Sequence, residues 1–250
     1  TSHDNFGALK LKGIIPFQLQ ITDTIISSDN LNEFFNADIL IINIPPERRS
    51  DIEQYHEAQF GLLISELRKT FIKQVLFVSS TSVYPTLNRE VFEDETAEPT
   101  KASGKALKQV EQMLKAQTNF SATLVRFAGL IGYDRLPGRF LAGKTNVQNR
   151  NAPINVIHQD DCIELITQII CQNAWGEVFN ACADEHPTRK EFYTLAAKKI
   201  GLEIPSFAVE TENDFKIINS NKIKRHLGYS FKYPDPLMLI NASYPDCNEF

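Results

Sequence analysis

The sharpest change of polarity along the chain falls at residues 75–85. Val75-Leu76-Phe77-Val78 is an unbroken apolar run, and Ser79-Ser80-Thr81-Ser82 follows it directly. A strand buried on both faces reads as continuous apolar sequence, and one whose C-terminal end opens into a crevice ends in polar groups. Residues 39–44 repeat the apolar run and are stopped by Pro45-Pro46, residues 122–130 carry another and are closed by Gly129 and Gly132, and residues 178–181 form a short fourth. Between these runs the apolar positions change to helical spacing. The spacing predicts helices over residues 31–37, 51–69 (Ile64 and Leu67 on one face), 103–115, 160–171 and 189–200, the last ended by Gly201. Alternating buried strands and amphipathic helices predict an α/β fold, a parallel sheet with helices on both faces.

Composition narrows the function classes. The chain has 250 residues and a formal net charge of −5. That charge offers no basic field for nucleic acid or an anionic membrane. No apolar run approaches a membrane span, and no charged-then-apolar leader opens the sequence. The 4 cysteines (Cys162, Cys171, Cys182, Cys247) show no C-x-x-C spacing. They read as reduced thiols of a cytoplasmic protein. No histidine pairs with a cysteine at ligand spacing, so no metal is expected.

A dinucleotide-binding sheet usually opens with a strand, a glycine-rich turn and a helix. No G-x-G occurs anywhere in the chain, and residues 1–30 read like the sequence that follows a second strand. Two readings follow. Either there is no dinucleotide site and the protein simply starts here, or about thirty residues of a complete opening unit are lacking. The second is favoured, since a doubly wound sheet without its central first strand would expose apolar surface. Residues 1–150 are then expected to form the main, N-terminally incomplete domain. Residues 151–250 are expected to hold the remaining sheet elements and a small lobe.

Five strings in order carry a resemblance. They are Ser79-Ser80-Thr81-Ser82-Val83-Tyr84-Pro85; Leu124-Val125-Arg126-Phe127-Ala128-Gly129-Leu130-Ile131-Gly132; Asn155-Val156-Ile157-His158-Gln159-Asp160-Asp161; Phe179-Asn180; and Leu227-Gly228-Tyr229 with Tyr233-Pro234. The chain resembles the extended short-chain dehydrogenase/reductases, the nucleoside-diphosphate-sugar epimerase and dehydratase group. The resemblance covers nearly the whole chain. It implies a Rossmann-like doubly wound sheet, here lacking its first strand and glycine-rich turn, with a small C-terminal substrate lobe. It also implies an NAD(P) cofactor and hydride transfer on a nucleotide sugar or similar small polar substrate, in a monomer or homodimer.

The departures bear on the chemistry. Members of this group carry a Tyr and a Lys four apart on one helix, and the lysine lowers the pKa of the tyrosine. A glutamate commonly follows the lysine by four. If Glu111 is that glutamate, Leu107 holds the lysine position and Ser103 the tyrosine position. None of the 7 tyrosines has a lysine four residues later. A non-catalytic dinucleotide-binding sensor or scaffold is therefore the alternative to an active enzyme.

By the same resemblance, Ser80 hydrogen-bonds the substrate oxygen that changes oxidation state, and Ser103 is the candidate acid. The competing reading makes Ser80 a cap on the strand end. Ser79, Ile44, Pro45, Gly129 and Leu130 fall at strand ends that pass the cofactor, and Lys105 could reach its phosphate or ribose. Ser82, Arg139 and Lys144 face substrate, the two cations as anion contacts. Tyr84 reads as a packed aromatic with its hydroxyl paired. His158 and Asp161 read as structural, with Asp161 at a helix cap. NAD-preferring folds place an acidic residue at the end of the second strand. Thr1 and Ser2 stand there instead, which tilts the choice between NADP and NAD toward NADP.

Overall fold

The computed structural model describes residues 5–209 and 214–241. In chain order its elements are helix α1 (Phe6–Leu11), strands β1 (Leu19–Ile21) and β2 (Ile26–Ser28), helix α2 (Leu31–Phe34), strand β3 (Ile39–Ile42), helix α3 (Ile52–Leu67) and strand β4 (Gln74–Ser80). A 3-10 turn, Thr81–Val83, leads to β5 (Glu90–Val91), α4 (Ala102–Lys115), β6 (Ser121–Phe127), β7 (Gly129–Ile131) and a short α5 (Gly138–Leu141). Then come β8 (Val156–His158), α6 (Gln159–Cys171), β9 (Val178–Ala181), α7 (Arg189–Lys199), β10 (Ile217–Ile218), α8 (Asn221–Leu227) and α9 (Pro236–Asn241). No helix among the described residues is long and apolar enough to cross a membrane.

The central sheet has the order β3-β4-β6-β9. Strands β3 and β4 run parallel, from Ile39 opposite Gln74 to Ile42 opposite Phe77, and α3 makes the crossover. Parallel neighbours need such a connection, since a tight hairpin cannot join them. Val75, Leu76 and Phe77 in β4 and Leu124 and Val125 in β6 are fully buried. Strands this apolar are stable only when both faces are covered. This is the α/β class with a parallel central sheet that the alternation predicts.

Two compact units, interleaved in sequence, make up the chain: residues 1–79 with 99–124, and residues 80–98 with 125–250. In the first, α3 buries Ile52, Tyr55, His56, Gln59, Phe60, Leu63, Ile64 and Leu67. That is the three-and-four spacing of one helix face. Helix α4 packs on it through Ala106 against Ile52 and Tyr55. The two buried polar residues of α3 are hydrogen-bonded to each other and on to the chain before α2. His56 Nδ1 lies 3.0 Å from Gln59 Oε1, and Gln59 Nε2 donates to the Ile21 carbonyl at 2.7 Å.

In the second unit β7 pairs in parallel with β8, and β10 with β5. Its core gathers Ile131, Ile154, Val156, Phe192, Ala196, Leu239 and Ile240. Gly138 lets α5 lie directly on α7, because a Cβ there would meet the Ala196 carbonyl oxygen at 2.4 Å. Any side chain would push the two helices apart.

Two local expectations are corrected. The run over residues 122–130 is two strands, because the backbone changes partner. Ala128 N donates to the Ala181 carbonyl, and the next amide, Gly129 N, turns to the Asn155 carbonyl. The cap of α6 is His158, not Asp161: the Asp160 amide donates to His158 Nδ1 at 3.2 Å. Asp161 is instead buried inside the first turn. Its carboxylate accepts from the Tyr229 hydroxyl (2.6 Å), the Lys232 amide (2.7 Å) and the Tyr233 amide (3.3 Å). A buried carboxylate needs such donors, so Asp161 fastens the segment before α9 to α6.

Candidate functional site

The sequence-predicted residues divide between the two units. In the first unit, Ser79 ends the buried part of β4 and donates to Glu111 Oε1 at 2.6 Å. Both residues are buried. Ser103, Leu107 and Glu111 follow one another at intervals of one helical turn, so they share a face of α4. The Ser79–Glu111 bond turns that face toward the end of β4. Leu107 is 4% exposed, an apolar side chain packed one turn before the carboxylate. Ser103 is half-buried and Lys105 is exposed. Ile44 and Pro45 follow the end of β3, the first half-buried and the second exposed. Thr1 and Ser2 lie outside the described residues.

In the second unit, Ser80 caps the 3-10 turn: its Oγ accepts from the Ser82 amide at 3.2 Å. A serine hydroxyl has one proton to give and two lone pairs. Used as an acceptor here, Ser80 keeps its proton for another partner. Ser82 is half-buried.

Tyr84, just past the turn, is the centre of a buried polar network. Its hydroxyl donates to Asn180 Oδ1 at 2.7 Å and accepts from Arg126 Nη1. The guanidinium also donates to the Glu93 carbonyl at 3.0 Å. The Asn180 backbone amide donates to the Glu93 carboxylate (2.9 Å), and its side-chain N–H donates to the Asn219 carbonyl (3.2 Å). Burial pushes the Tyr84 phenol up to about 12, against the opposing pull of Arg126. A phenol so buried and so paired stays protonated and holds structure.

The Gly129–Leu130 segment is reached through Asn155. Gly129 is exposed, and a Cβ on it would stand 3.1 Å from the Asn155 carbonyl oxygen. Arg139 lies exposed on α5. Lys144 is exposed at the end of the same loop, and its carbonyl accepts from the Ser206 amide. Sequence reasoning did not single out Lys216 or Asn155 as a pair. Lys216 Nζ donates to the carbonyls of Thr81 (2.7 Å) and Tyr84 (2.6 Å), and Asn155 Nδ2 donates to the Lys216 carbonyl (2.8 Å). The available signal was a lysine two positions before Ile218, just ahead of the short apolar strand β10. Among the described residues no group of three His, Cys, Asp or Glu side chains is placed to hold a metal ion.

No family model matches the chain. Protein YeeZ of Escherichia coli strain K12 is 33% identical over 241 residues, which cover 96% of this chain and 88% of that protein. The chain belongs to the YeeZ family. Its fold is that of the extended short-chain dehydrogenase/reductases. A conserved protein of unknown function from Silicibacter pomeroyi superposes with a TM-score of 0.74 at 22% identity, covering 96% of this chain and 86% of that one. The dTDP-glucose 4,6-dehydratase of Bacillus anthracis, in complex with NAD, superposes with a TM-score of 0.68 at 14% identity, covering 84% and 73%. The family is thus fixed by sequence identity and the fold by the two superpositions.

Proposed function

We propose that this protein binds a nicotinamide dinucleotide and acts as an epimerase- or dehydratase-like oxidoreductase on a nucleotide sugar or a similar small polar substrate. The observation that carries the proposal is the state of Ser80. It stands at the C-terminal end of a central parallel strand, where ligands of open α/β sheets bind. Its oxygen is fixed by the Ser82 amide and its proton is left to donate. A donor held in that way suits a substrate oxygen that gains charge as a neighbouring carbon changes oxidation state. The bound dinucleotide would supply hydride acceptance. Backbone groups at Ile44, Pro45, Gly129 and Leu130, with Lys105, would hold it; Ser82, Arg139 and Lys144 would bind substrate; Ser103 would serve as the weak acid. The dTDP-glucose dehydratase, which binds NAD, supports the cofactor and substrate class by fold likeness alone.

One observation favours a second reading, a dinucleotide-binding sensor or scaffold without turnover. Leu107 is packed where a lysine would lower the pKa of an acid, and an unassisted serine hydroxyl is a poor acid. Titration of the protein with NADH and NADPH, followed by nicotinamide fluorescence, tests the shared step and reads the coenzyme preference. A panel of nucleotide sugars with the preferred coenzyme separates the two readings. Coupled turnover that is abolished in Ser80→Ala establishes the enzyme; binding without turnover establishes the sensor. Turnover unchanged in Ser80→Ala removes Ser80 from the mechanism, and no binding of either coenzyme removes both readings.

A further inference from the structure

Lys216 reaches the serine turn from the far end of its unit's sequence, and everything around it is arranged to hold it there. The extended segment that leads from it into β10 is clamped on each side. The Phe215 amide donates to Asn88 Oδ1 at 2.8 Å, and the Asn88 amide returns a bond to the Phe215 carbonyl at 2.8 Å. The Ile217 and Asn219 amides donate to the carbonyls of Arg89 and Val91. The Asn155 side chain spans the strand, giving its N–H to the Lys216 carbonyl and accepting from the Ile218 amide at 2.9 Å. Successive side chains on a strand alternate in direction. Ile218 is 2% exposed, so Lys216, two residues before it, is directed to the same inner side. Its ammonium is half-buried and meets the carbonyls of Thr81 and Tyr84.

Those two carbonyls flank the one-turn 3-10 helix that Ser80 caps. Thr81 O already accepts from the Tyr84 amide at 3.2 Å to close the turn. The ammonium therefore adds positive charge at the carbonyl end of the turn, where the backbone dipoles point their negative ends. Hydrogen bonds to a charged donor are stronger than neutral ones. Asn155 extends the same set of bonds to Gly129, whose amide donates to the Asn155 carbonyl. One lysine and one asparagine thus tie the Ser80–Ser82 turn to the Gly129 segment.

We propose that Lys216 is a positioning residue for the hydroxyl-bearing turn: its ammonium sets the conformation of residues 80–84 and hence where the Ser80 and Ser82 hydroxyls point. The catalytic consequence rests on the function proposed above; the conformational claim does not. The test is amide hydrogen exchange on the wild-type protein, Lys216→Met and Lys216→Arg, read at Ser82 and Tyr84. The Ala128 amide, bonded to the Ala181 carbonyl elsewhere in the same unit, is the internal reference. In Lys216→Met, which removes both charge-assisted bonds to the turn, exchange at Ser82 and Tyr84 is expected to speed up at least about tenfold, equivalent to ~1.4 kcal/mol. Ala128 is expected to keep its protection, and Lys216→Arg to restore most of the protection at the turn. Unchanged exchange at Ser82 and Tyr84 overturns the proposal. Equal loss at the turn and at Ala128 also overturns it, since Lys216 would then support the whole unit rather than the turn. Coenzyme titration of the same three proteins reports separately on the functional reading. If none binds coenzyme, that reading fails while the exchange result still decides the role of Lys216. If all bind, Lys216→Met is expected to lower kcat more than it raises KM for the nucleotide sugar, with rescue by Lys216→Arg.

Discussion

The Tyr84 hydroxyl donates to Asn180 Oδ1 across 2.7 Å, joining residues 96 positions apart. The bond links the residue just after the serine turn to the middle of β9, and Arg126 of β6 donates to the same oxygen. Each of the three groups is buried. Removal of one partner leaves the others with desolvated polar atoms, at about 1–3 kcal/mol per group. Tyr84→Phe and Asn180→Ala are each expected to destabilise the protein by that amount. The double variant is expected to lose less than the two singles together, because both remove the same bond. Urea denaturation of the four proteins checks this. Strict additivity would show that the two side chains contribute independently.

Neighbouring serines at the end of β4 have different jobs. Ser79 is buried and gives its proton to the buried carboxylate of Glu111, 2.6 Å away. Ser80 is half-buried and accepts from the Ser82 amide. Ser79→Ala is therefore expected to cost about 1–3 kcal/mol, since it takes a donor from an interior carboxylate. Ser80→Ala is expected to cost only about 0.5 kcal/mol, at the low end for a lost cap. Thermal unfolding of the two variants distinguishes them. Equal losses would contradict the division of roles between the adjacent hydroxyls.

The fold was legible because its central strands are buried on both faces, so the apolar runs at β3, β4 and β6 stand out against helices of regular spacing. The boundaries were less so. Nothing in Phe127-Ala128-Gly129-Leu130 marks the point at which consecutive amides leave Ala181 for Asn155. That change depends on a residue 26 positions later. Tyr84 was readable as a paired aromatic, because a buried phenol has to find a partner. Its partners were not, since Asn180 and Arg126 lie on other strands and no local pattern announces them. Asp161 illustrates the same limit. An acidic residue at a helix start resembles a cap, yet here the imidazole of His158 caps α6 and the carboxylate serves amides 71 and 72 residues away. Lys216 reads as an ordinary surface lysine until the strand direction of its neighbour Ile218 is known.

The imidazole of His158 makes stability depend on pH. It is buried between the rings of Tyr133 (5.7 Å) and Tyr233 (4.2 Å), with Asp160 Oδ2 at 3.7 Å, and a Cβ added to Gly132 would lie 2.7 Å from Nε2. The Asp160 amide donates to Nδ1, so that nitrogen is an unprotonated acceptor and caps α6. Burial lowers the pKa of the group from its ordinary value; Asp160 and Asp161 oppose the shift, and Lys232 adds to it. Between the folded pKa and the unfolded value of about 6.5 the unfolded chain binds more protons than the native one. Stability from this group is thus fully present above about pH 6.5 and is lost as pH falls through the folded pKa. His56, also lowered by burial, contributes with the same sign. Urea midpoints measured from about pH 7.5 down to about pH 5 are expected to fall in the wild-type protein. In His158→Asn, which keeps a side-chain acceptor for the cap, the fall is expected to be shallower, with the remainder carried by His56. An unchanged slope would mean that His158 does not titrate differently in the folded and unfolded states, and that the cap of α6 survives protonation of its imidazole.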